Sequence, residues 1–548
     1  MRLPTLVTFA VAALASTASA AFLHRGSGME VGPIDPTTET LNKRAETAGF
    51  NGWGTFDQLI DHDNPKLGTF KQRYWYGTEF WKGPGSPIFL VNPGEQAATN
   101  FNKTYTTSQR LAGLFAQTMG GAVVIVEHRY WGESSPYSVL TVQNLTYLTL
   151  ENSIRDMTYF ARNFVPPFDT TGKSAPTEAP WVFSGGSYSG ALAAWVETID
   201  PGTLWAYHGT SGVVEAVGDF WQYFVPVQEA TPANCSRDLS SVIDYIDATL
   251  VFGTPKAKRQ LKDKFMLGDL TDADFASALE NGPWMWQSTQ FYSEKTLGYN
   301  LYYQFCDYIE NVFPNTTNPK IPSAKGVGVA KALDGYAKWV KEVLIPGNCE
   351  SAGYSDWQGE FNTQCFRNQN TSNVAFNDLS VGNWVNRQWN WMLCNEPFEY
   401  WQDGAPLGRP SIVSRLVTAD YWRQQCASFF PPSQGGTYGI KQGKRARDVN
   451  KWTGGWYATN STRLMHANGQ LDPWRDATVS SVFRPGGPLK STEKVPVRVI
   501  KGGTHCSDLY GQNWPLNADV RRVVDEEVEN MKTWVGEFYT INKKTRPS

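Results

Sequence analysis

Pro87–Val91 (PIFLV), Ala122–Val126 (AVVIV) and Trp181–Phe183 (WVF) are continuous apolar runs bounded by glycine, proline or other small residues. That pattern predicts parallel strands covered on both faces. Arg463–Ala467 (RLMHA) and Val497–Ile500 (VRVI) repeat it near the end of the chain, and every run gives way to a polar loop. After WVF comes a turn of small residues, Ser184 to Gly190, and then Leu192, Trp195, Val196 and Ile199 at helical spacing. The prediction there is strand, sharp turn, helix. Residues 52–80 alternate aromatic and polar positions, with turns at Asp63–Asn64–Pro65 and Lys66–Leu67–Gly68, as antiparallel strands at a sheet edge do. Val520, Val524, Val528, Met531, Val535 and Phe538 predict a closing amphipathic helix.

From about residue 213 the character changes to helical patterns such as Leu239–Leu250 and Ala330–Val343, ending in the basic stretch Lys441–Arg447. The expected organisation is therefore an α/β domain in two pieces, 45–212 and 447–548, interrupted by a mainly helical insertion at 213–446. No internal repeat or low-complexity tract appears, and Gly326–Val327–Gly328 lacks the rest of a nucleotide-binding fingerprint.

The 548 residues are 41% hydrophobic and 18% charged, with a net charge of −3, which gives no reason to expect nucleic acid or an anionic membrane as partner. Residues 1–20 read as a secretory signal, with Arg2, an apolar stretch from Leu6 to Ala15 and Ala18–Ser19–Ala20 at the cleavage position. Residues 21–44 read as a polar leader or propeptide ending in Lys43–Arg44, either a dibasic processing site or an ordinary surface pair. Sequons at Asn102, Asn144, Asn234, Asn315, Asn370 and Asn460 suit a secreted glycoprotein. Of seven cysteines, six lie between 235 and 426, so disulfides should staple the insertion. Cys506 is the expected free thiol. Scattered histidines and the lack of CxxC or HExxH motifs predict neither metal nor cofactor.

The 181–192 segment has the context of a nucleophile elbow. A serine on such a turn stands clear of the sheet, and the following N–H, that of Tyr188, faces the same spot at a helix N-terminus, where an oxyanion would be stabilised. Ser187 is the expected nucleophile, with Gly185 and Gly186 allowing the strained turn. Ser189 occupies the position where the usual pattern has glycine. The rival reading is a Gly/Ser turn without chemistry. In this class of site the acid and then the histidine follow the serine in the chain. His208, His466 and His505 follow Ser187. His208 comes too early, and His466 falls within a strand pattern as a core residue. His505 lies in the loop after the last strand and is the expected base. Asp472, in the loop Asn468–Trp474, is the expected acid, with Asp476 and Asp508 as rivals that read as solvated turn or cap residues. A second oxyanion donor should come from the backbone near Glu95, because Pro93 has no N–H.

The blocks TFDQLIDH (55–62), KQRYW (71–75), EHRYWGES (127–134), GGSYSG (185–190), NGQLDPW (468–474) and GGTHCSDL (502–509) stand in order along nearly the whole chain. Together they resemble the lysosomal Pro-Xaa carboxypeptidase and dipeptidyl peptidase II family, and most of all its secreted fungal acid prolyl endopeptidases. The resemblance implies an α/β-hydrolase fold with a helical cap, and a serine peptidase acting on the C-terminal side of proline, often in acid. Its location would be outside the cell or in an acidic vacuolar or lysosomal compartment. The triad it implies is Ser187, Asp472 and His505, with Trp474 walling a proline pocket. It implies peptides or proteins containing proline as partners, no nucleic acid, no membrane, and a monomer or homodimer. Ser189 departs from the animal members and matches the fungal branch. Ala191 stands where family members carry a pocket methionine. Endo- and exopeptidase action both remain open, with Glu95 and Arg129 as candidates to meet a substrate terminus. Alternatives are an esterase or lipase on the same fold, or a non-catalytic binding glycoprotein using some of the 22 tryptophans.

Overall fold

The computed structural model describes residues 52–101, 104–297, 300–312 and 320–548. The signal and leader segments, residues 45–51, and the sequons at Asn102 and Asn315 lie outside the described residues.

β1 (Gly52–Leu59) and β2 (Thr69–Gly77) form an antiparallel pair at one edge of the main sheet, β1 alternating between half-buried and exposed positions from Gly52 to Asp57 before Gln58 turns inward and is buried. β3 (Ile88–Val91), β4 (Ala122–Val126), β5 (Trp181–Gly186) and β6 (Ala206–Thr210) are buried throughout. After β6 the chain leaves the sheet. Outside it, β7 (Val217–Asp219) pairs with β8 (Glu399–Trp401) as a separate short ladder. The chain returns as β9 (Leu464–Gly469) and β10 (Val497–Ile500). The eight-stranded order is β1-β2-β4-β3-β5-β6-β9-β10, parallel from β4 onward.

The apolar runs are continuous because both faces are covered. Ile88, Leu90, Val124 and Phe183 join the larger core with helices α2 (Leu150–Asn163) and α3 (Tyr188–Ile199). Phe89, Val91, Val123, Ile125 and Val182 point the other way, onto α1 (Leu111–Met119) and the C-terminal helix α8 (Ala518–Ile541). The segment between β6 and β9 carries α4 (Ala233–Phe252), α5 (Leu301–Ile309), α6 (Val329–Trp339) and α7 (Arg387–Asn395), besides helices at Pro255–Lys264 and Asp272–Leu279 and shorter turns. Its core continues that of the sheet's α2–α3 face, and three disulfides lie within it: Cys235–Cys306, Cys349–Cys365 and Cys394–Cys426. A mainly parallel sheet with helices on both faces, interrupted after β6, is the α/β-hydrolase fold. The carboxyl ends of β3, β5, β9 and β10 open at one rim, where such sheets gather their sites.

Candidate active site

Ser187 sits between β5 and α3 with φ 61° and ψ −127°, a strained backbone for a residue with a Cβ. Its N–H donates to the Thr210 carbonyl (2.9 Å), which ties the turn to β6. The sequence reading gave the strained conformation to Gly185 and Gly186, but the left-handed residue is the serine. Gly185 is required for a different reason: a Cβ there would lie 2.3 Å from the Ser189 carbonyl oxygen. Gly190 answers it, since a Cβ there would come within 2.7 Å of the Thr210 carbonyl oxygen. α3 thus rides directly on the sheet.

Residues far apart in sequence meet at this turn. His505 Nε2 lies 2.9 Å from Ser187 Oγ, and His505 Nδ1 lies 2.9 Å from Asp472 Oδ1. Asp472 Oδ1 also accepts from the Trp474 N–H (2.9 Å), so the loop that delivers the carboxylate folds back to hold it. All three side chains are buried. Burial opposes charge on His505, but the Asp472 carboxylate beside it outweighs that, and the imidazole holds its proton well above the usual histidine range.

The Tyr188 N–H is at the first turn of α3. Its ring is packed by Trp389 and Phe398, and its hydroxyl meets His128 Nε2 at 3.0 Å. Burial lowers His128 to about 4, so this imidazole is neutral. Glu95 lies in the loop after β3, and its carbonyl accepts from Asn386 Nδ2 (3.0 Å) of the insertion. Trp474 is fully buried, its ring centroid 5.3 to 5.6 Å from those of Tyr223, Tyr400 and Phe220, and its indole N–H donates to Gln287 Oε1 (2.9 Å).

Other expectations are corrected. Arg129 cannot reach a substrate terminus: its guanidinium is bonded to Asp156 and to the carbonyls of Leu59, Ile60 and Tyr147. Asp476 and Asp508 are not solvated. Asp476 is buried against Arg475 at 3.1 Å, and Asp508 accepts from Thr210 Oγ at 2.5 Å. His208 on β6 contacts Ser184 Oγ (3.1 Å) and Glu527 Oε1 (3.1 Å), while Asp508 Oδ2 lies 3.8 Å away. Among the described residues these three form the grouping whose donor atoms fall within 4.8 Å of one another. The carboxyl groups are held protonated to unusually high pH, Asp508 by burial and then by Glu527, and Glu527 up to about 8 by burial. Cys506 is the free thiol, buried beside His505. Asn144 and Asn234 are half-buried, and Asn370 and Asn460 are exposed.

Sequence reasoning missed Trp286, Gln287 and Gln290. Trp286 Nε1 donates to the Leu471 carbonyl (2.7 Å), and Gln290 Nε2 donates to the His505 carbonyl (2.7 Å). They lie in the insertion, where nothing in the local pattern marks a residue that will bond to a distant loop.

Comparison with known proteins adds to this geometry. The family model for serine carboxypeptidase S28 matches residues 58–523. Serine protease vicPa of Bipolaris victoriae (strain FI3) is 42% identical over 502 residues, 91% of this chain and 92% of that protein. A probable extracellular serine carboxypeptidase of Arthroderma benhamiae is 30% identical, covering 87% of this chain and 66% of that one. An esterase of Pyrobaculum calidifontis aligns over 91% of each chain, with 9% identity and a TM-score of 0.31.

Proposed function

The chain belongs to the serine carboxypeptidase S28 family and is a serine-type peptidase, and from that premise we propose that it cleaves on the C-terminal side of proline through Ser187, His505 and Asp472. The observation that carries the reading is the unbroken chain of 2.9 Å contacts from the Ser187 hydroxyl through the imidazole to the Asp472 carboxylate.

Ser187 Oγ attacks the proline carbonyl as His505 Nε2 takes its proton. Asp472 holds Nδ1–H and stabilises the imidazolium. The N–H groups of Tyr188 and Glu95 receive the oxyanion. The imidazolium then protonates the leaving amine, and water repeats the sequence on the acyl-enzyme. Trp474, backed by Tyr223, Tyr400 and Phe220, supplies a flat aromatic wall for the pyrrolidine ring. Residues 213–446 act as the cap over the cleft.

The rate falls as pH drops through the His505 pKa, while the Asp508–Glu527 pair, which keeps its protons in the fold, contributes stability that is present in acid and lost as pH rises. Secretion belongs to the same reading: residues 1–20 have the signal pattern, one relative is named as extracellular, and among the described residues no helix is long and apolar enough to cross a membrane. Of the four described sequons, Asn370 and Asn460 are the exposed ones and the better placed to carry glycans.

Fluorophosphonate labelling followed by peptide mapping tests the nucleophile, with stoichiometric modification of Ser187 expected. A panel of proline peptides against short acyl esters tests the substrate. Preference for the esters would overturn the proline reading.

A further inference from the structure

The peptide bond after His505 is held along both edges by side chains. Its carbonyl oxygen accepts from Gln290 Nε2 (2.7 Å), and its N–H, that of Cys506, donates to Ser211 Oγ (2.9 Å). A peptide unit is planar, so fixing both polar groups fixes the plane and with it the backbone from which the imidazole projects. The chain turns sharply here, Cys506 having φ 53°, and neither group belongs to a helix or a sheet ladder. Ser211 is itself anchored through its N–H to the Ala467 carbonyl of β9 (2.7 Å). Gln290 comes from the insertion.

The hydrogen bonds through the side-chain amides of Asn513 and Gln290 run in one direction. Tyr292 N–H donates to Asn513 Oδ1 (3.3 Å), and Asn513 Nδ2 donates to Gln290 Oε1 and to the Ser507 carbonyl (2.8 Å each). A main-chain donor at one end and main-chain acceptors at the other fix the orientation of both amides. Gln290 and Asn513 are buried, so each bond is made in a medium where a missing partner is costly. Three residues before Gln290, Gln287 accepts from the Trp474 indole, and one residue earlier Trp286 bonds the carbonyl that precedes Asp472. Residues 286–290 therefore hold both the loop carrying the acid and the loop carrying the base.

We propose that Gln290 is a positioning residue for His505, through which the insertion sets the imidazole between Ser187 and Asp472. The proposal rests on the triad reading above. Gln290→Glu keeps the shape and the acceptor for Asn513 but loses the donor to the His505 carbonyl. Gln290→Met keeps the volume and loses both bonds.

The experiment measures fluorophosphonate labelling rate, kcat and KM on a proline peptide, each per titrated active site, with the pH dependence of kcat/KM. Both variants are expected to lose about 10- to 100-fold in labelling rate and kcat, the scale of a small misplacement of a reacting group. KM should stay within about twofold, and in Gln290→Met, which adds no charge, the acid limb of the pH profile should move, because the His505–Asp472 contact is disturbed. A role in folding alone would lower the titrated fraction and leave the per-site values and the limb unmoved. That result overturns the proposal. If either Gln290 variant fails to fold, Ser211→Ala, which releases the other edge of the same peptide, carries the test with the same expected signature. Ser187→Ala is run alongside. Activity remaining there sinks the triad itself, whereas an inactive Ser187→Ala with unaltered Gln290 and Ser211 variants sinks only the positioning role.

Discussion

The Ser189 hydroxyl donates a 2.7 Å hydrogen bond to the Asn92 carbonyl oxygen. The residue that replaces the usual glycine of the elbow thus ties the start of α3 to the loop after β3. That loop carries Glu95, and Asn92 also receives the Gly94 N–H (2.9 Å) on its side-chain oxygen. Ser189→Ala leaves the carbonyl unpaired in a buried place and frees the loop. A buried hydrogen bond contributes about 0.5–1.5 kcal/mol net, so kcat/KM should fall roughly 2- to 10-fold. Steady-state kinetics on a proline peptide checks this, and an unchanged value would mean that the loop is held by other contacts.

Asp472→Asn should lower kcat by about 10⁴, since the amide favours the wrong tautomer of the imidazole. It should also move the acid limb of the pH profile. The carboxylate is the chief influence raising the proton affinity of His505 against burial, so its neutralisation carries the limb to lower pH. A pH–rate profile of the residual activity would show the direction.

Gly185→Ala places a methyl 2.3 Å from a main-chain oxygen, where no flexible side chain can yield. Either α3 lifts from the sheet or the elbow shifts, and overpacking of this kind costs about 1–3 kcal/mol or more. A lower Tm together with loss of Ser187 labelling is expected. A variant labelled at the wild-type rate would show that the helix has room to move.

Glu527→Gln should make the protein less sensitive to rising pH. Burial raises the Glu527 pKa to about 8, so the folded state keeps a proton that the unfolded chain gives up near the ordinary carboxylate value. The stability this supplies is fully present in acid and is lost as pH climbs through the folded pKa, at about 1.4 kcal/mol per pH unit. His208, lowered to about 4 by burial, works in the opposite sense below its ordinary pKa of 6.5, so the window from pH 6.5 to 8 leaves it out; Asp508, Asp403 and Glu310 are raised as well but are common to both proteins, so the difference between wild type and variant reports Glu527. Wild type should lose Tm across that window and the variant should lose less. Parallel curves would refute the assignment.

The hydrogen-bonded chain of Ser187, His505 and Asp472 was legible because each residue follows an apolar run whose burial the sequence reveals, and because chain order leaves few candidates. Periodicity reports which face is covered, not what covers it. Asp508 and Asp476 therefore read as solvated although both are buried, and Arg129 read as available although Asp156 and three carbonyls enclose it. Gly185 was read for its freedom, when its task is to make room for Ser189. Gln290 was invisible because its partners, His505 and Asn513, come from beyond the insertion and follow it by more than two hundred residues.

Each covalent crosslink begins and ends between residues 235 and 426, and none reaches a strand of the main sheet. A reductant would consequently attack the insertion and spare the sheet. Molecules made in a thiol-rich cytoplasm should retain a formed elbow beside a slackened insertion that still bears Gln290. Redox history would then be read out as the quality of a serine's neighbourhood rather than as the presence or absence of a folded chain.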